Sequence, residues 1–125
     1  MTGLAIERRC QASDTRRCVQ GGRFAVEATW RDAAGGSDTA RAAPAGSADT
    51  ALLWFFEPSN WELMVKVLDG CDINGHFWVY AAASTDVEYQ LTVTDLETGQ
   101  IFTYHNPLGT ASPAVNQTEA FATCP

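Results

Sequence analysis

No apolar run in this chain is longer than residues 51–56 (Ala-Leu-Leu-Trp-Phe-Phe), far short of the roughly 20 residues a helix needs to cross a bilayer. Residues 1–10 also lack the apolar stretch of a secretory signal. The expectation is a domain without membrane insertion, separated from a precursor that carried any leader. Histidine is scarce, with only His76 and His105, and there is no Gly-x-Ser-x-Gly elbow. A serine or cysteine nucleophile needs a base within reach, so no catalytic residues are expected and the chain reads as a non-enzyme. The fifteen Asp and Glu offer many carboxylate pairs for glycosidase chemistry, and nothing singles one out. Apolar residues nowhere recur at helical spacing for three turns, which argues against packed helices.

What charge there is lies unevenly. The net charge is -7, yet residues 1–23 hold Arg8, Arg9, Arg16, Arg17 and Arg23 against Glu7 and Asp14. The rest holds Arg31, Arg41 and Lys66 against the other acids. Without interleaved aromatics the arginine-rich end reads as a solvated segment, and nucleic acid is not an expected partner. The length suits one domain, residues 1–125, with residues 1–20 as an N-terminal arm.

The four cysteines, Cys10, Cys18, Cys71 and Cys124, lack the close pairs of a zinc site. Disulfides are the better reading. Of three possible pairings, the preferred one joins Cys10 to Cys18 around a short loop and Cys71 to Cys124 across the chain. Two bridges imply an oxidising compartment, hence secretion or the cell surface.

Period-two alternation dominates the remainder. Residues 23–31 set Phe24, Val26, Ala28 and Trp30 against Arg23, Glu27, Thr29 and Arg31, a half-buried strand. Residues 32–50, rich in Ala, Gly, Ser and Asp with Pro44, read as a long irregular connection with room for a short helical turn. Residues 51–56 are apolar on both faces, so as a strand they must be central or covered. Residues 61–68 place Leu63, Val65 and Val67 on one face and Glu62, Met64, Lys66 and Leu68 on the other. Residues 69–75 carry Asp-Gly and Asn-Gly, turn dipeptides that join this strand to residues 76–83 as a hairpin. A second hairpin joins residues 87–94, with Val87, Tyr89, Leu91 and Val93 on one face, to residues 100–104. The tail ends in a short apolar piece, residues 120–122. At least six strands without crossover helices give an all-β, disulfide-stapled antiparallel β-sandwich, immunoglobulin-like or jelly-roll in topology.

Two features could carry binding. Seven of the aromatics cluster between Trp54 and Tyr80, and alternation sends them to both faces of a sheet. If the second face is open, Trp54, Trp61, Trp78 and Tyr80 form a platform for a sugar or a peptide; the simpler expectation is that residues 32–50 and the tail cover it. Asp69, Asp72 and Asn74 offer oxygen ligands for calcium, but they lack the spacing of a calcium-binding loop and suit a tight turn equally. No metal or other cofactor is therefore expected, with calcium as the one candidate. His76 and His105 read as packed or surface residues rather than metal ligands.

The series Gly22-Arg23-Phe24 with Trp30, then Trp54-Phe55-Phe56, Glu62 to Cys71 and Asn74-Gly75-His76-Phe77-Trp78-Val79-Tyr80 resembles an accessory module found on secreted bacterial multidomain proteins. The likeness runs through Tyr89, Asp95, Thr98-Gly99, Asn106-Pro107 and Cys124. It implies a β-sandwich and a secreted accessory domain, and it supplies no catalytic or binding residues. The leading expectation is thus a non-catalytic recognition domain for a protein or glycan. The alternatives are a protease inhibitor presenting the loop from Arg8 to Cys18, which a disulfide would pre-organise, and a structural unit of a surface assembly.

Overall fold

The computed structural model describes residues 9–125, and Met1 to Arg8 lie outside it. Ten strands form two antiparallel sheets. They are β1 (Arg17–Val19), β2 (Phe24–Arg31), β3 (Ser37–Thr39), β4 (Arg41–Gly46), β5 (Thr50–Trp54), β6 (Trp61–Gly70), β7 (His76–Ala83), β8 (Glu88–Asp95), β9 (Ile101–Asn106) and β10 (Val115–Phe121). A single turn of helix, α1 (Cys71–Asn74), sits between β6 and β7. The first sheet runs β1-β2-β8-β9, with β3 paired to the same edge of β2 as β1, farther along; the second runs β10-β7-β6-β5-β4.

The sandwich follows from the alternation. Phe24, Val26 and Ala28 of β2 and Tyr89, Leu91 and Val93 of β8 point inward from the first sheet. They meet Leu53, Leu63, Val65, Val67, Phe77, Val79 and Phe121 of the second in one buried cluster. Each of the large side chains contributes about 1.5–3 kcal/mol by leaving water. Phe24 packs its ring against Phe77 and Phe121, with centroids 4.9 and 5.1 Å away.

Polar staples fix the ends of the sandwich. Arg23 grips the fully buried Asp95 with two 3.0 Å bonds, donates to the Thr123 carbonyl at 2.7 Å, and lies over the Phe77 ring. Burial, the largest single influence, would raise the Asp95 pKa, but the hydrogen bonds from Arg23, Thr123, Thr98 and the Glu97 backbone N–H together outweigh it and hold the carboxyl below its usual range. Gln20 takes a left-handed backbone (φ 55°). From there its side-chain amide donates to the Val67 carbonyl at 2.7 Å, tying the β1–β2 turn to the second sheet. The disulfides are Cys10–Cys18 and Cys71–Cys124, the preferred pairing. The first closes a loop that leads directly into β1, so the end of the N-terminal arm is part of a sheet.

The structure corrects several expectations. Residues 32–50 are not an irregular connection, for they contain β3 and β4. Small residues suit β4, an edge strand in which Ala42 packs against the core opposite Leu53 and Ala43 is buried outside the main cluster. Pro44 lies where the β4–β5 register shifts, as proline requires in a sheet edge. Glu62 does not share the outer face with Met64. Leu53 pairs with Leu63 but Trp54 with Trp61, so Glu62 is the extra residue of a bulge, turned inward and 6% exposed. The Asp-Gly pair lies inside β6, and the reversal is α1, closed by Gly75 in a left-handed conformation (φ 76°). The C-terminal apolar piece begins earlier, as β10.

Candidate functional site

Strand alternation determines what the second sheet shows to solvent. In β7, Phe77, Val79 and Ala81 are buried, so His76, Trp78, Tyr80 and Ala82 face out; in β6, Met64, Lys66 and Leu68 do the same. The register aligns these residues in rows. Leu68 pairs with Trp78, Lys66 with Tyr80, and Met64 with Ala82, while Thr50 and Leu52 of β5 continue the last two rows. Asn116 of β10 pairs with Tyr80 on its other side. At the far end, Trp54 pairs with Trp61 and with Arg41. All four aromatic candidates therefore reach this sheet's outer side, as two neighbouring pairs. Residues 32–50 and the tail do not cover it, because they are spent on the edge strands β3, β4 and β10.

Trp78 is held from two directions. Its indole fills the space over Gly70, where an added Cβ would come within 2.1 Å of Nε1 and 2.2 Å of Cε2. Its N–H donates to Asn74 Oδ1 at 2.8 Å, and the Asn74 amide in turn donates to the Thr118 carbonyl at 2.7 Å. The Tyr80 ring lies nearly parallel to it, 15° between planes and 6.3 Å between centroids. Two near-parallel rings, one of them held in place, thus lie side by side on this face, with a hydrogen-bonding side chain on each flank of Tyr80, Lys66 and Asn116. Beside them Met64, Ala82 and Ala114 border a shallow depression of about 180 Å³. Trp61 is 45% exposed, and its indole N–H donates to the Pro58 carbonyl at 2.9 Å.

The other candidates are used locally. Asp69 accepts the Cys71 backbone N–H at 2.9 Å and Asn74 is committed to Trp78 and Thr118, so these two calcium candidates build the turn, while Asp72 is exposed on α1. His76 bonds the Asn74 carbonyl at 2.9 Å, whereas His105 lies on the first sheet, and the two histidines do not meet. Around the Cys10–Cys18 loop, Arg16 pairs with Glu27 at 3.2 Å and the Arg17 Nε is buried; Arg8 lies outside the described residues. The first sheet's outer face is polar, and its main cleft centres on Glu88, which accepts from Arg31 at 2.7 Å and meets His105 Nε2 at 2.9 Å. These bonds, His105 first and Arg31 second, hold the Glu88 carboxyl below its usual range.

Sequence reasoning missed the supporting residues Gly70, Lys66 and Asn116. The signal for Gly70 was present: it stands two positions beyond Leu68, diagonal to Trp78 across the pair, where an aromatic ring leans over a strand glycine. No protein-family model, curated protein or solved structure matches the chain.

Proposed function

We propose that this is a secreted, non-catalytic recognition domain that binds a glycan on the outer face of the second sheet. One observation carries the reading: Trp78 and Tyr80 are near-parallel and partly exposed on the outer face of the second sheet, with Lys66 and Asn116 beside them. Ring faces take the C–H side of a sugar, and the flanking ammonium and carboxamide satisfy hydroxyls at its edge. The face is fixed before any ligand arrives, since Gly70 and Asn74 already hold Trp78, which lowers the ordering cost of binding. Two disulfides support an oxidising compartment and hence secretion.

A glycan array probed with the folded chain and with Tyr80→Ala tests this. The expected result is a family of bound oligosaccharides lost in the variant, with thermal unfolding nearly unchanged because Tyr80 points out of the core. Binding that survives Tyr80→Ala, or binding to a peptide array alone, would overturn the proposal.

A further inference from the structure

The same face differs from the rest of the molecule in charge, and this inference rests on the glycan reading above. The chain carries fifteen acids against eight Lys and Arg. Yet among the described residues, the paired outward positions of the second sheet are Arg41, Thr50, Leu52, Trp54, Trp61, Met64, Lys66, Leu68, Gly70, His76, Trp78, Tyr80, Ala82 and Asn116. No carboxylate is among them. The nearest acid along β5, Asp49, accepts from the hydroxyls of Ser47 and Thr50 at 2.9 and 3.0 Å and lies within electrostatic reach of Lys66. Glu119, exposed, lies within the break of the β10 register, between the Gln117–Val79 and Phe121–Phe77 pairs at the Trp78 end of the face, away from Lys66 and Arg41.

The two cations are spaced along the face, each beside an aromatic. Lys66 is in the Tyr80 row and Arg41 in the Trp54 row. Four residues of β5 separate these rows along the strands, about 13 Å at roughly 3.3 Å per residue, and Lys66 on β6 and Arg41 on β4 are also two strands apart, about 10 Å sideways at roughly 4.8 Å per strand. A ligand crossing the face diagonally from β6 to β4 would meet, at each of two places, a ring that takes an apolar sugar face and a cation that takes a negative group. We infer that the ligand is an acidic glycan, with uronate carboxylates or sulfates placed at Lys66 and Arg41. A nucleic acid also combines stacking surfaces with negative charge, but every nucleotide brings a phosphate, and binding through the backbone needs many cations. Two cations about 16 Å apart, four residues along and two strands across, suit a sparser anion.

The test is isothermal titration of the whole folded chain with uronate and sulfated oligosaccharides, each beside its neutral parent, carboxyl-reduced or desulfated. An acidic member should bind about two- to fivefold tighter than its neutral parent, the size of an exposed charge pair. Lys66→Gln should close much of that gap by weakening acidic members more than their neutral parents, with the unfolding temperature unchanged, and Lys66→Arg should restore it. Tyr80→Ala should weaken acidic and neutral members alike. Neutral parents bound as tightly as every acidic form would overturn the charge inference and leave the glycan reading standing. Failure to bind any sugar would overturn both, and single-stranded DNA bound more tightly than every oligosaccharide would replace the glycan with nucleic acid.

Discussion

Replacing Gly70 with Ala adds one methyl group where the structure has no room for it. The backbone of Gly70 is not left-handed, so the cost is steric: the new Cβ would stand 2.1 Å from Trp78 Nε1 and 2.7 Å from Cζ2. Overpacking of this kind costs about 1–3 kcal/mol. Displacing the indole also breaks its bond to Asn74, worth about 0.5–1.5 kcal/mol, while alanine recovers about 0.5–1 kcal/mol over glycine in a strand. The net expectation is a loss of about 2 kcal/mol, measured from urea unfolding midpoints, together with greater acrylamide quenching of Trp78 in a chain whose other tryptophans are Phe. Gly75→Ala is the control. Nothing lies within 4 Å of its Cβ and its φ is +76°, so it should cost about 1–2 kcal/mol of backbone strain without exposing Trp78. If Gly70→Ala proves as stable as the parent with Trp78 equally shielded, the indole does not rest over Gly70 and the platform loses its support.

Two buried carboxyls should respond to pH with opposite signs. Asp95 has a lowered folded pKa, so its contribution is present above the unfolded value of about 3.9 and is lost as pH falls through the folded value. Asp95→Ala should cost about 3–5 kcal/mol near neutrality because it strands the Arg23 charge. Glu62 accepts the Phe55 N–H at 2.8 Å, but burial, outweighing that bond, raises its pKa. Its contribution is full below about pH 4.3 and fades as pH rises through the folded value, so Glu62→Gln should gain on the parent over that range. Urea midpoints between pH 2 and 8 check both, and parallel curves would refute them. Intact mass should fall two hydrogens short of the reduced chain for each bridge. Opening Cys71–Cys124, whose ends are 53 residues apart, should cost about 4 kcal/mol, and an unchanged unfolding midpoint after selective reduction would contradict this.

The parts of the fold that could be read from sequence are those where one residue's face determines its neighbours' faces. Alternation in β2, β6 and β8 assigned Phe24, Leu63 and Leu91 to the core, and the β6–β7 hairpin was legible from two apolar runs around turn residues. It failed where small side chains hide the pattern, as with the alanines of β4, and where a bulge resets it, as at Glu62. The candidate site was legible as residue types, because Trp54, Trp61, Trp78 and Tyr80 cluster in the chain. Whether their face was open was not, since that depends on where residues 32–50 go. Asp-Gly is a turn signal by local preference, but the Trp78 ring claims that glycine from the next strand, a non-local demand that no single-segment pattern contains. Lys66 and Asn116 are 50 positions apart and meet Tyr80 only through the register of three strands.

The most direct test of the account is an amide and indole chemical-shift map of the isotope-labelled chain titrated with the best-bound oligosaccharide. The largest changes are expected at the Trp78 indole N–H and at Met64, Lys66, Tyr80 and Asn116, with the first sheet unaffected. Changes centred on Arg31, Glu88 and His105 would place recognition on the opposite sheet and contradict it.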